Sequence, residues 1–211
     1  MPRWLWITLV IAVLGLFWAA GREPPVESVS GPGASLACPQ MPSPAGLPAP
    51  LQIRVNDAPA VRLGHHTIRP LAAFALEARV LGREDYRFDR GAALSPTDLA
   101  LGWQRMSDQA VYERLDISQG GRWYRYRWGA EGPPIPVHEI VSSSANMHLV
   151  PASETVADAI DKARQDQTVR LTGWLVEISD GDGWQWRSSL SRDDSGDGAC
   201  ELIYVCEFES F

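Results

Sequence analysis

The sequence predicts an α+β fold dominated by strands: one domain with short helices and a C-terminal three-strand unit of OB-like pattern, behind an N-terminal transmembrane helix. Three observations predict it. An uncharged apolar run follows a basic tip at the N-terminus. A stretch crowded with Pro and Gly comes next. Most of the remainder alternates apolar and polar residues at the period of two that marks half-buried strands.

The apolar run is Trp4 to Ala20, preceded by Arg3. As a helix, 17 residues cover about 25 Å, short of a comfortable bilayer span but within the range of spanning helices. The basic tip stays cytoplasmic and places the rest outside. Residues 1–20 are therefore read as a transmembrane anchor, with Trp4, Trp6 and Trp18 at the interfaces; the small residues after Trp18 keep a cleaved signal segment open as the alternative. Leu36-Ala37-Cys38 lies too far beyond the apolar run for a lipoprotein cleavage site. Residues 21–50 hold half of all the prolines and form a linker that lifts the domain off the membrane. Residues 51–211 form an extracytoplasmic α+β domain. About 160 residues bury a core without needing disulfides or metal.

The net charge of -7 excludes bulk attraction to nucleic acid or anionic lipid, so no nucleic acid partner is expected. Apolar residues at 45% and charged ones at 21% fit a folded chain. Three cysteines make no disulfide framework. Cys200 and Cys206 fall in one strand, roughly 20 Å apart, whereas a disulfide needs Cα atoms about 5.5 Å apart. In an oxidising compartment Cys38 can bond to one of them and pin the linker to the domain.

The elements follow in order. Leu51, Ile53 and Val55 alternate as a strand ending at Asn56-Asp57, and Phe74, Leu76, Ala78 and Val80 as another. Ser95-Pro96-Thr97-Asp98 has the form of a helix start, predicting a helix through Leu99 and Trp103 to about Met106. A second short helix is expected around Ala110 to Leu115. Gly120-Gly121 turns the chain into the strand Arg122 to Trp128. Prolines 133, 134 and 136 lead to a short strand, Val137 to Val141. Ser153 caps a helix with Val156, Ile160 and Ala163 on one face. In Thr168 to Ile178 the large apolar positions change parity after Gly173, which predicts a β-bulge at that glycine. Strands Trp184 to Leu190 and Cys200 to about Phe208 complete the three-strand unit, which has the pattern of the front half of an OB-type barrel; a plain antiparallel meander is the alternative.

Three constellations carry chemistry. In Arg122 to Trp128, Tyr124, Tyr126 and Trp128 share one face, and Arg125 and Arg127 the other. Aromatics with arginines grip glycans or single strands, while a core face backed by a solvated edge explains the same pattern. With Trp123, Arg187 and Arg192, those two arginines are the candidate binding residues. The loop from Asp193 to Glu201 resembles the extracellular calcium-binding Excalibur motif, with Ser195 for the middle Asp and one residue missing before Cys200. Asp193, Asp197 and Glu201 are the calcium candidates, and a solvated hairpin loop is the preferred reading. No His-x-x-x-His or Cys-x-x-Cys spacing occurs, so neither zinc nor any cofactor is expected. Asn146 and His148 alternate on an extended segment and face one way. With Ser188 or Ser189 and Asp98 or Glu139 they supply the residue types of a nucleophile, a base and an orienting acid; a buried polar network is the preferred use.

Asp98-Leu-Ala-Leu-Gly-Trp103, Ser144-Ala-Asn-Met-His-Leu149 and the Trp184-to-Cys200 stretch resemble a group of uncharacterised bacterial membrane-anchored envelope proteins, over roughly residues 70 to 205. The group has no established activity. The resemblance implies a bacterial inner-membrane protein, single-pass, with its C-terminal domain in the periplasm, or secreted there if the leader is cleaved. The functional expectation is a non-catalytic binding or accessory module for an envelope protein or polymer. The alternative is a periplasmic hydrolase using His148 with a serine and a carboxylate.

Overall fold

The computed structural model describes residues 26–27, 36–192 and 200–211. The expected anchor, most of the early linker, and Asp193 and Asp197 of the acidic loop lie outside the described residues. No helix among the described residues is long and apolar enough to cross a membrane. The strands are β1 (Val26–Glu27), β2 (Leu51–Arg54), β3 (Ala60–Leu63), β4 (His66–Asp85), β5 (Thr97–Gly102), β6 (Leu115–Gly120), β7 (Trp123–Trp128), β8 (Ser144–Pro151), β9 (Thr168–Asp180), β10 (Gln185–Arg187) and β11 (Glu201–Ser210). The helices are α1 (Gln109–Tyr112), preceded by a 3-10 turn at Gln104–Ser107, α2 (Val137–Ser142) and α3 (Glu154–Lys162). The chain is thus β-dominated with short helices.

Five strands close on themselves. β4 pairs with β5, β5 with β8, β8 with β11, β11 with β9, and β9 returns to β4. Only β8 with β11 is parallel in this circuit; the other pairs are antiparallel. β4 can serve two neighbours because it is 20 residues long and bulged twice. Leu71 is the extra residue opposite β9, and Leu81 the extra residue opposite β5. Each bulge adds local twist and bends the strand around the circuit. β2 and β3 extend the sheet from the first half of β4, β1 lies parallel on β3, and β10 lies on β9.

Alternate residues of the five strands point inward. Phe74, Leu76, Leu99, Met147, Leu171 and Ile203 fill the interior, each contributing about 2 kcal/mol by leaving water. Val156 and Ile160 of α3 plug one end, and the Ser153 hydroxyl caps that helix by accepting from the Val156 amide at 3.3 Å. Outside the circuit, Val176, Ile178, Leu202 and Tyr204 pack beneath the segment around Leu36. The Cys38–Cys206 disulfide, with Cα atoms 5.8 Å apart, ties that segment down. Cys200 and Cys206 do not bond to each other, as the strand geometry requires. The β6–β7 hairpin, α1 and α2 cover another outer face through Met106, Val111, Tyr112 and Ile140.

Three local expectations are corrected. Residues 97–102 form β5, not a helix from Ser95 to Met106. Leu99 and Leu101 face the interior while Ala100 faces the hairpin side, so every position of the strand is buried. Neighbours on both edges outweigh a local cap pattern. Val137–Ser142 is a helix, not a strand: Pro136 stands at its N-cap, and Ile140 is its buried anchor. Gly173 is not the bulged residue, because the pairing of β9 runs through it without a break on the β4 side; opposite it the extra residue is Cys206 of β11. The change of parity has another cause. Leu175 enters the interior while Val176 and Ile178 enter the outer cluster, so that half of β9 is buried on both faces.

Candidate functional site

The outward positions of β5 and β8 include Asp98, Ala100, Asn146 and His148, by the alternation of strand side chains. Asp98 and His148 are register partners across the two strands. A carboxylate with no solvent exposure must be paired, and its partner arrives from the β6–β7 hairpin. Gly120 pairs with Trp123, which leaves Gly121 and Arg122 as a two-residue turn, with φ of +60° and +69°. Positive φ at both central positions is the hairpin turn matched to strand twist. A non-glycine there costs about 1 kcal/mol or more.

The strained turn aims Arg122 into the barrel wall. Its Nη1 donates to Asp98 Oδ1 at 2.7 Å, and its Nη2 donates to both oxygens of Asp89 at 2.9 and 3.0 Å. The guanidinium lies 3.8 Å from the Tyr86 ring centroid and 5.4 Å from that of Trp186. The Arg122 amide donates to the Tyr86 hydroxyl at 3.0 Å. Burial holds that hydroxyl above its usual range, and the Asp98 charge adds to the shift. Asn146 Nδ2 donates to Asp98 Oδ2 at 3.1 Å and to the Arg122 carbonyl at 3.2 Å, while Gln119 Nε2 donates to Asn146 Oδ1 at 2.8 Å. His148 Nδ1 stands 2.9 Å from Asp98 Oδ2 but off the line of an aligned hydrogen bond. Its ring packs 4.8 Å from Trp186.

Above this network opens a pocket of about 180 Å³ lined by Arg122, Trp123, His148, Trp186, Arg187 and Cys200. Its arginines come with counter-charges: Asp89 and Asp98 for Arg122, and Glu177 for Arg187. The pocket therefore offers aromatic faces and directed hydrogen bonds without excess positive charge. The Cys200 thiol donates to the Arg122 carbonyl at 3.7 Å.

Compared with family models, curated proteins and solved structures, the chain matches none. What the site can do rests on its own geometry.

Of the residues singled out from the sequence, Trp123, His148 and Arg187 meet at the pocket, with Asn146 beneath it. Arg125 and Arg127 are exposed on β7, and Arg125 Nη1 donates to the Gly120 carbonyl at 3.2 Å. The opposite face is a ladder, with Tyr124 and Tyr126 centroids 5.6 Å apart and Tyr126 and Trp128 6.3 Å apart. Arg192 pairs with Glu201 and donates to Gln52 Oε1 at 3.2 Å, so Glu201, a calcium candidate by sequence, is held by an arginine. Glu139 lies on α2 and binds Arg105 at 3.0 Å, outside the network. Ser188 Oγ accepts from the Leu202 amide at 3.1 Å and donates to the Ser189 carbonyl at 2.9 Å; Ser189 Oγ accepts from the Ser191 amide at 3.0 Å. Tyr86, Asp89, Arg122 as an anchor and Trp186 as a wall were not singled out. Gly120-Gly121 before a basic residue was the one local sign, since that turn forces the third side chain off the strand.

Proposed function

We propose that the protein is a non-catalytic, membrane-anchored module of a bacterial envelope, whose barrel is of OB type and binds a glycan of the envelope at the Trp123–Trp186 pocket. The observation that carries the reading is the convergence of two tryptophans and two charge-compensated arginines on one concave site over β5 and β8. OB-type barrels have five strands in the order and with the parallel pair described, and take oligosaccharides or oligonucleotides on the faces of their second and third strands, between the loops after the first and the fourth. Those strands correspond to β5 and β8. The loops correspond to residues 86–96, which supply Tyr86 and Asp89, and to the connection that begins after Asp180, which supplies Trp186 and Arg187. Compensated charge inside the pocket, with -7 on the whole chain, favours a neutral hydrogen-bonding ligand over a polyanion. The envelope assignment draws support from the apolar run before Ala20, from the resemblance to envelope proteins, and from the Cys38–Cys206 disulfide, a bond at home in oxidising compartments.

The test is co-sedimentation of the purified protein with isolated cell-wall glycan. Trp123→Ala should weaken retention by about 10-fold or more, the scale of a buried aromatic anchor, while Arg125→Ala and Arg127→Ala leave it unchanged. Equal retention by Trp123→Ala, or no retention of the parent protein, refutes the glycan site. A C-terminal reporter active only in the cytosol refutes the envelope placement.

One observation favours the alternative, a periplasmic hydrolase: Asp98 stands beside His148 Nδ1, as an orienting acid stands beside a base. A serine nucleophile at Ser188 or Ser189 would have to leave its present hydrogen bonds. Covalent labelling of either serine by a fluorophosphonate, lost in His148→Ala, would replace the binding reading with this one.

A further inference from the structure

A second cluster lies where two tight turns meet at one end of the barrel. His66 opens β4 directly after the β3–β4 turn, in which Gly64 has a φ of +64°. Asp180 closes β9 just before the turn to β10, and His66 and Asp180 are register partners across the sheet. His66 Nδ1 bonds to Asp180 Oδ1. The His65 ring stands with its centroid 3.8 Å from that of His66. One donor atom from each of His65, His66 and Asp180 lies within 4.8 Å of the others. A cavity of about 410 Å³ opens over them, bordered also by Arg90, Ala93 and Asp182.

From this geometry we infer that His65, His66 and Asp180 bind a divalent transition-metal ion such as zinc, clamping the β3–β4 turn to the β9–β10 turn. Two imidazoles and one carboxylate make a borderline nitrogen–oxygen donor set. That set suits zinc, nickel, cobalt or copper, and not calcium, which needs six to eight oxygens. Three protein ligands leave a fourth position for water or for the Asp182 carboxylate two residues on. Backbone pairing fixes two of the three donors before any ion arrives, so little ordering entropy opposes binding.

Arg90 gives the inference its sharpest test. Its Nη2 donates to Asp180 Oδ2 at 3.1 Å and also contacts Asp182. The guanidinium thus competes with a cation for the same carboxylates. Zinc chloride titrated into the purified full chain, followed by calorimetry, should show one site per chain. His65→Ala and His66→Ala should each weaken that site by about 100-fold or more, beyond the 10–100-fold typical of losing a mere supporting contact. Arg90→Ala should tighten it by about 10-fold, because a competing positive charge is gone. Cobalt in place of zinc should give the intense visible absorption of a four-coordinate site, lost in His65→Ala. His65 is exposed and Arg90 half-exposed, so both variants should fold, and circular dichroism checks it. The inference is overturned if zinc binds the His65→Ala/His66→Ala double variant as tightly as the parent protein, if the parent binds none, or if Arg90→Ala fails to tighten binding.

Discussion

Replacing Arg122 by Met should be among the most damaging changes in the protein that leave its hydrophobic interior untouched. Methionine keeps much of the side-chain volume but removes the positive charge held 2.7 Å from a carboxylate with no solvent exposure. Breaking a buried pair from one side costs about 3–5 kcal/mol, most of it from stranding the remaining ion. Losing the contact to the more exposed Asp89 adds at most about 1 kcal/mol. Asn146 and His148 stay beside Asp98, so the lower half of the 3–5 kcal/mol range is expected. The assay is urea unfolding followed by tryptophan fluorescence, comparing midpoints at equal m.

Two companion variants separate the causes. Asp98→Asn in the Arg122→Met background removes the stranded charge and should recover about 1–3 kcal/mol, a coupling that two independent sites do not show. Arg122→Gly loses the same ion pair but relaxes the left-handed turn, and should be about 1 kcal/mol more stable than Arg122→Met. A loss below about 1 kcal/mol in Arg122→Met, or additive effects in the double variant, would refute the view that this pair organises the site.

Gly173→Ala would place its Cβ 2.1 Å from the Tyr204 carbonyl oxygen, a backbone atom that cannot swing away. It should destabilise by at least about 2 kcal/mol in the same assay, while Gly120→Ala, with open space around it, stays within about 0.5 kcal/mol of the parent. At Asp85 burial pushes the carboxyl up, but hydrogen bonds from Arg83 and Thr97 outweigh that and leave it below the ordinary carboxylate range. A depressed acid contributes stability that is present above its unfolded pKa of about 4 and is lost as pH falls through the folded value. Asp85→Asn should therefore lower the melting temperature at neutral pH, with the difference from the parent closing below about pH 4; a difference constant across the acid range would show the carboxylate to be irrelevant.

The sequence was legible where structure is local. Ser153 marked the start of α3, Gly120-Gly121 marked the hairpin turn, and the alternation of Tyr124, Tyr126 and Trp128 against Arg125 and Arg127 gave the two faces of β7. It was misleading where distant neighbours decide. Nothing near Ser95 announces that residues 97–102 will be flanked by β4 and β8, so a cap-like tetrapeptide reads as a helix start. That misreading hid the candidate site as well. Asn146 and His148 share a face, as expected of an extended segment, but Asp98 joins them only once it stands on a neighbouring strand. The closure between β4 and β9 joins residues about a hundred positions apart and leaves no mark in either segment alone.

Two glycines show how tightly the site is built. A Cβ on Gly82 would meet Gln119 Oε1 at 2.6 Å, and one on Gly91 would meet the Trp186 ring at 2.6 Å. The Trp186 wall packs directly onto Gly91, where a side chain would displace the ring, and the flexible end of Gln119 fills the space beside Gly82. What they enclose is a carboxylate with Arg122, Asn146 and His148 around it. The Arg122 fork is divided between Asp98 and Asp89, and Asn146 is held from both ends. With Asp98 bonded by Arg122 and Asn146, and Asn146 bonded in turn by Gln119, this part of the network favours holding one shape over cycling between two. On the proposed binding reading, it holds the walls above it, Trp123, Trp186 and Arg187, in place before a ligand arrives. Binding to walls already ordered forfeits less entropy than binding to mobile ones, so on the proposed binding reading the strain at Arg122 and the burial of Asp98 would be repaid as affinity at the pocket.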